Sequence, residues 1–104
     1  MYRYNIYLGM FDRDTKQQEI SNQDFLNTVR KIMRYHSIDN YTIYKCKGHY
    51  KHWDDTIVCE PSINIEFIDE YYYKKTDIEL IKINLCKFLN QEDVLITRTE
   101  VEIL

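Results

Sequence analysis

His49 and His52 stand three residues apart, with Asp54, Asp55 and Glu60 close behind them. Imidazoles and carboxylates ligate metals and move protons near neutral pH. A metal site needs several such donors converging on one point. On a strand, residues three apart point to opposite faces, so His49 and His52 converge only across a turn. A solvated hairpin tip is the simpler reading, and no metal site is expected. His49 or His52 could also act as a general base oriented by Glu60. No nucleophile with a local motif accompanies them. Ser62 follows Pro61 and lacks the nucleophile-elbow pattern. No catalytic residue is therefore assigned, and the chain is expected not to be an enzyme.

The same stretch interleaves Lys45, Lys47 and Lys51 with Tyr50 and Trp53. Rings can stack on a base while cations meet phosphates, a mixture that suits a nucleotide-like anion. There is no glycine-rich phosphate loop. A second mixture, Tyr71-Tyr72-Tyr73-Lys74-Lys75, precedes a predicted helix, whose free N–H groups favour anions. The expected ligand-binding set is Lys45, Lys47, His49, Tyr50, Lys51, His52, Trp53, Tyr72 and Lys74. In each stretch, rings packed on the domain edge are the plainer alternative.

The elements that must position these residues follow from hydrophobic spacing. Residues 2–10 alternate, with Tyr4, Ile6 and Leu8 on one face and Arg3, Asn5 and Tyr7 on the other. Ser21-x-x-Asp24 is a variant capping box, and Phe25, Val29, Ile32, Met33 and His36 follow at helical spacing. His36 falls near the helix C-terminus, where the dipole favours its charged form. Residues 41–50 form the second strand. The third runs from about Thr56 to Ile68, with Ile57, Cys59, Ile63, Ile65 and Phe67 inward and a bulge or local edge at Pro61. Thr76-x-x-Glu79 reads as a capping box opening a second helix, with Ile78, Ile81, Leu85 and Phe88 as its buried stripe. Residues 93–103 form the last strand, with Val94 and Ile96 inward.

The order β-α-β-β-α-β predicts a ferredoxin-like split β-α-β domain spanning 1–104. Its four-stranded antiparallel sheet should run 4-1-3-2, with both helices on one face. The other face, carrying Arg3, Asn5, Tyr7, Thr42, Tyr44, Asn64 and Glu66, suits sheet-to-sheet association, so a homo-oligomer is expected.

Composition narrows the function classes. The net charge is −3 with both signs interspersed, which argues against duplex nucleic acid as a partner. No apolar run approaches the length of a membrane span, and the N-terminus lacks the apolar core of a signal peptide. Cys46, Cys59 and Cys86 are odd in number and widely spaced, which fits free thiols in a reducing compartment. Cys46 and Cys59 are expected to face each other across the hairpin. A cytoplasmic location is expected. Ten tyrosines and no alanine suggest an AT-rich genome.

The landmarks Tyr7-Leu8-Gly9, Ser21 to Met33, Tyr41-Thr42, Gly48-His49-Tyr50, the run from Thr56 to Ser62 with Glu60-Pro61-Ser62 at its end, and Asn90-Gln91-Glu92-Asp93-Val94 come in a familiar order. In that order the chain resembles a family of small bacterial and phage proteins of unknown function. The resemblance spans nearly the whole chain. It implies the same fold and a bacterial or phage source, which would place a phage-encoded chain in the host cytoplasm. It supplies no catalytic residue and no cofactor.

These readings lead to a non-enzymatic phage-type protein that sequesters a small anionic, nucleotide-derived signal of host defence. Two alternatives stay open. One is a protein–protein inhibitor of a defence factor acting through the sheet face or an edge strand. The other is an enzyme degrading such a signal with His49, His52 and Glu60.

Overall fold

The computed structural model describes residues 1–51 and 54–104, so His52 and Trp53 lie outside it. Its elements are β1 (Tyr2–Gly9), α1 (Asn22–Tyr35), β2 (Thr42–Lys51), β3 (Ile57–Asp69), α2 (Lys75–Leu89) and β4 (Leu95–Glu100). The antiparallel sheet has the order β2-β3-β1-β4, the expected 4-1-3-2 order read from the other edge. Both helices cover one face. No helix among the described residues is long and apolar enough to cross a membrane.

The core lies between the helices and the covered sheet face. Tyr4, Ile6 and Leu8 from β1 meet Ile63, Ile65 and Phe67 from β3, and these meet Phe25, Val29 and Met33 of α1 and Ile81, Leu85 and Leu89 of α2. Period-two alternation delivers the strand residues to one face, and three-to-four spacing delivers the helical ones. α1 starts as its cap predicts: the Ser21 hydroxyl accepts the Asp24 N–H at 3.1 Å.

α2 differs from expectation. Its N-cap is Lys74, whose backbone N–H donates to Asp77 Oδ2 at 3.1 Å, so the predicted Thr76 cap lies inside the helix. Its buried stripe advances in steps of four through Ile81, Leu85 and Leu89. Phe88, one residue out of phase, is 58% exposed.

The β2–β3 hairpin is longer than the sheet it belongs to. β3 pairs with β1 only from Ser62 to Asp69, whereas its pairing with β2 runs out to Ile57. Residues 47–51 and 57–61 therefore form a two-stranded arm beyond the helices. That geometry exposes Ile57 and Cys59, which alternation alone assigns to the inner face. The register passes unbroken through Lys47↔Pro61, so no bulge forms there. Pro61 instead marks where β1 pairing stops, a position that needs no further ladder donor. Its carbonyl accepts the Met10 N–H at 3.0 Å as the chain leaves β1. Cys46 is opposite Ser62 and His49 is opposite Cys59, so Cys46 and Cys59 project from opposite faces of the hairpin. The expected facing of these two thiols does not occur.

Candidate functional site

Where the arm leaves the sheet, its open face forms one wall of a pocket of about 530 Å³. Tyr7 from β1, Tyr50 from β2, Val58 and Glu60 from β3 and Leu95 from β4 line its floor and sides. The loop after β1 and the segment after α2 supply the rim through Phe11, Asp12, Arg13, Gln91 and Glu92. The volume lies within the usual range for small-molecule sites. Three aromatic rings, four carboxylates and the cations Arg13, Lys16 and Lys51 make up most of the lining. Tyr7 and Tyr50 remain about two-fifths exposed, so their rings are accessible to a ligand.

The chain has two glycines, and each makes room for one pocket side chain. A Cβ on Gly9 would lie 2.2 Å from Glu60 Oε1 and 2.7 Å from its Cδ. A Cβ on Gly48 would lie 2.5 Å from the Tyr50 ring and 2.7 Å from Ser62 Oγ. Neither glycine has a positive φ, so the requirement is for space rather than for backbone freedom. The register explains both contacts. Gly9 pairs with Ser62, two residues from Glu60 on the same face, while Gly48 has Tyr50 two residues along its own face and Ser62 as a diagonal neighbour across the ladder.

Hydrogen bonds from distant segments hold the site. Glu60 Oε2 accepts the Phe11 N–H at 3.0 Å, which draws the carboxylate over Gly9. The Phe11 carbonyl accepts Gln91 Nε2 at 2.8 Å, and Gln91 is buried. Asn90 ends α2 in the left-handed region with φ 49°, a conformation asparagine tolerates better than most residues. From there its side-chain amide donates to Asp12 Oδ2 at 2.7 Å and to Asp14 Oδ2 at 3.0 Å. The Asn90 amide and the backbone N–H groups of Asp14 and Thr15 hold the Asp12 carboxyl below its ordinary range. The loop after β1 is thus tied to the end of α2, and the N–H that orients Glu60 is tied to both.

The predicted ligand-binding residues do not converge. Tyr50 and Lys51 line the pocket, and the Lys51 ammonium also pairs with Asp55 at 3.3 Å. Lys45, Lys47 and His49 occupy the opposite face of β2, because odd positions there share the face of Ile43. His52 and Trp53 fall outside the described residues. Tyr72 lies at the far end of the sheet, beside Tyr2 and Tyr4, and Lys74 is the N-cap of α2. Sequence reasoning missed Tyr7, Phe11 and Gln91 and treated Glu60 only as a possible orienter. The available signal was the glycines: a strand glycine often marks a close approach by another group.

The far end shows what the tyrosine-rich loop does. Tyr4 is fully buried, and its hydroxyl donates to the Tyr71 carbonyl and accepts the Tyr73 N–H, both at 2.9 Å. Its ring stacks on Phe67 at 4.9 Å and meets the edge of Tyr73 at 5.2 Å. The Arg98 guanidinium lies 3.5 Å from the centre of the Tyr72 ring and donates to the Tyr73 carbonyl at 3.0 Å. Burial and the nearby Asp69 carboxylate push the Tyr73 hydroxyl far above its ordinary pKa. Asp77 takes the Lys74 N–H at the mouth of α2, where an anion was expected to sit.

His36 also departs from expectation. It sits half-buried beside α2, with Nε2 2.9 Å from Asn84 Nδ2. Burial lowers its pKa, with a smaller opposing effect from Asp77, so the shift runs opposite to the expected one. Among the described residues, no three His, Cys, Asp or Glu side chains gather as a metal site.

No protein-family model matches the chain, and no curated protein matches it. Among solved structures it is similar to a phage SAM lyase in complex with S-methyl-5′-thioadenosine. That match has a TM-score of 0.74 and 19% identity, and covers 95% of this chain and 80% of that chain. The chain is also similar to a phage SAM lyase in the apo state, with a TM-score of 0.68 and 18% identity over 94% and 78% of the two chains. At these identities the likeness establishes a common fold. It also corrects two expectations. The resemblance to a family of unknown function gives way to a likeness with phage proteins of named activity. The expected non-enzymatic sponge is overturned because both of these structures are of enzymes. The physical reason for the error is that the pocket draws on β1, β2, β3, β4 and two loops, so no local motif announces it.

Proposed function

We propose that this chain is a lyase that cleaves S-adenosylmethionine and releases S-methyl-5′-thioadenosine. The observation that carries the reading is the pairing, in one pocket, of the Glu60 carboxylate with the Tyr7 and Tyr50 rings. The likeness to the phage SAM lyases supports it, because it covers 95% of this chain. The substrate is a sulfonium cation. Aromatic faces attract such cations, and a nearby carboxylate complements the charge. Lys45 and Lys47 do not line this pocket.

The chemistry needs no nucleophile from the protein. The bond between sulfur and the methionine Cγ breaks, and its electron pair leaves with sulfur as a neutral thioether. A lyase adds no water. The carbon therefore either takes its new bond from the substrate's own carboxylate, giving homoserine lactone, or loses a neighbouring proton, giving an alkene. Glu60 would orient the amino-acid portion in the first case and accept the proton in the second. Tyr7 and Tyr50 would hold the sulfonium against the floor.

The test is incubation of the purified chain with S-adenosylmethionine, with products followed by liquid chromatography and mass spectrometry beside a protein-free control. S-Methyl-5′-thioadenosine should appear in proportion to protein, and because the lactone and the alkene are isomers of equal mass, the retention time of the four-carbon product against authentic homoserine lactone and vinylglycine distinguishes the two routes. Intact substrate at the control level would sink the proposal.

A further inference from the structure

The cations that the pocket does not use point to a second chemistry. Lys45, Lys47 and His49 share the face of β2 that continues past the helices into solvent. Cys59 lies directly opposite His49 on that face, with Sγ 3.9 Å from His49 Nε2, and it is exposed. Lys47 is its diagonal neighbour, within reach of long side chains. Lys51, the other diagonal neighbour, is paired with Asp55. Exposed thiols beside imidazole and ammonium groups are the reactive kind, because the thiolate is the nucleophile.

The geometry points to Cys59 as a thiol modification site that takes small anionic disulfides, with His49 as proton acceptor. This site stands apart from the lyase reading: Glu60 faces the pocket from the next position, on the opposite side of the same strand. The step balances without a further reagent. The Sγ proton passes to His49 Nε2, and the sulfur attacks one sulfur of the incoming disulfide. The disulfide bond breaks and its second sulfur leaves as a thiolate, so the incoming molecule is itself the oxidant. Lys47 favours an anionic partner over a cationic one.

The other two cysteines serve as controls. Cys46 is also exposed but projects from the opposite face, opposite Ser62. Cys86 is half-buried in α2, and its labelling would report loss of fold. The full chain is treated with Ellman's reagent, a dianionic disulfide, and separately with cystamine, a dicationic one, and each cysteine is followed by peptide mass. Cys59 should react with Ellman's reagent on the order of tenfold faster than Cys46. His49→Ala should bring its rate down to that of Cys46. Lys47→Gln should slow Ellman's reagent at Cys59 more than cystamine. Equal rates at Cys46 and Cys59, or a Cys59 rate unmoved by His49→Ala while Cys86 stays unlabelled, would overturn the assignment.

Discussion

The two ends of the sheet use similar side chains for opposite purposes. At the far end Tyr4, Tyr71, Tyr72, Tyr73 and Arg98 bond mainly to one another and to backbone. At the arm end Tyr7, Tyr50 and Glu60 are gathered around open space, and two glycines keep that space clear. A tyrosine-and-cation cluster is therefore not a site by composition. A fully satisfied hydroxyl fixes a loop, whereas a ring left facing a cavity can hold a ligand.

The sharpest way to break this contrast is at Glu60. Glu60→Gln keeps size and the bond from the Phe11 N–H but removes the charge. Turnover of S-adenosylmethionine should fall at least about a hundredfold, with the melting temperature nearly unchanged. A variant with wild-type turnover would return the arm end to a structural role. The mirror experiment is Tyr4→Phe at the far end. It leaves the Tyr73 N–H and the Tyr71 carbonyl without their partner and should cost about 1–3 kcal/mol by denaturant titration, with turnover per folded molecule unchanged.

Gly9→Ala separates space from stability. The added methyl meets the end of a flexible side chain, so Glu60 can swing aside and the fold survives. Turnover should drop about tenfold, equivalent to about 1.4 kcal/mol of transition-state stabilisation, while the melting temperature moves little. A large stability loss with full activity would mean that Gly9 serves packing alone.

The smallest effect belongs to His36, away from both ends. Its folded pKa lies below its ordinary value of 6.5, so the unfolded chain binds the proton first as pH falls. Its contribution is fully present above about 6.5 and is lost as pH drops from there through the folded value. Chemical denaturation at a series of pH values should show that decline, and His36→Gln should flatten it.

Much of the fold was legible because each element repeats one period. Alternation placed Tyr4, Ile6 and Leu8 inward, and the helical spacing of Phe25, Val29 and Met33 described α1. It failed where two elements of unequal length meet. Ile57 and Cys59 alternate correctly, but on the arm both are exposed. Phe88 and Leu89 are adjacent apolar residues, and only the seat of α2 on the sheet chose between them.

The sequence by itself determined the element order, the sheet order and most of the core, because those depend on local periodicity and on short connections. Only the tertiary structure decided the site. Glu60, Gln91 and the stretch from Tyr7 to Phe11 are far apart in the chain, and none carries a motif. Their convergence depends on which face each strand position takes, on where β1 pairing stops, and on the space beneath two glycines. Those are relations between segments, and a reading of one segment at a time does not contain them.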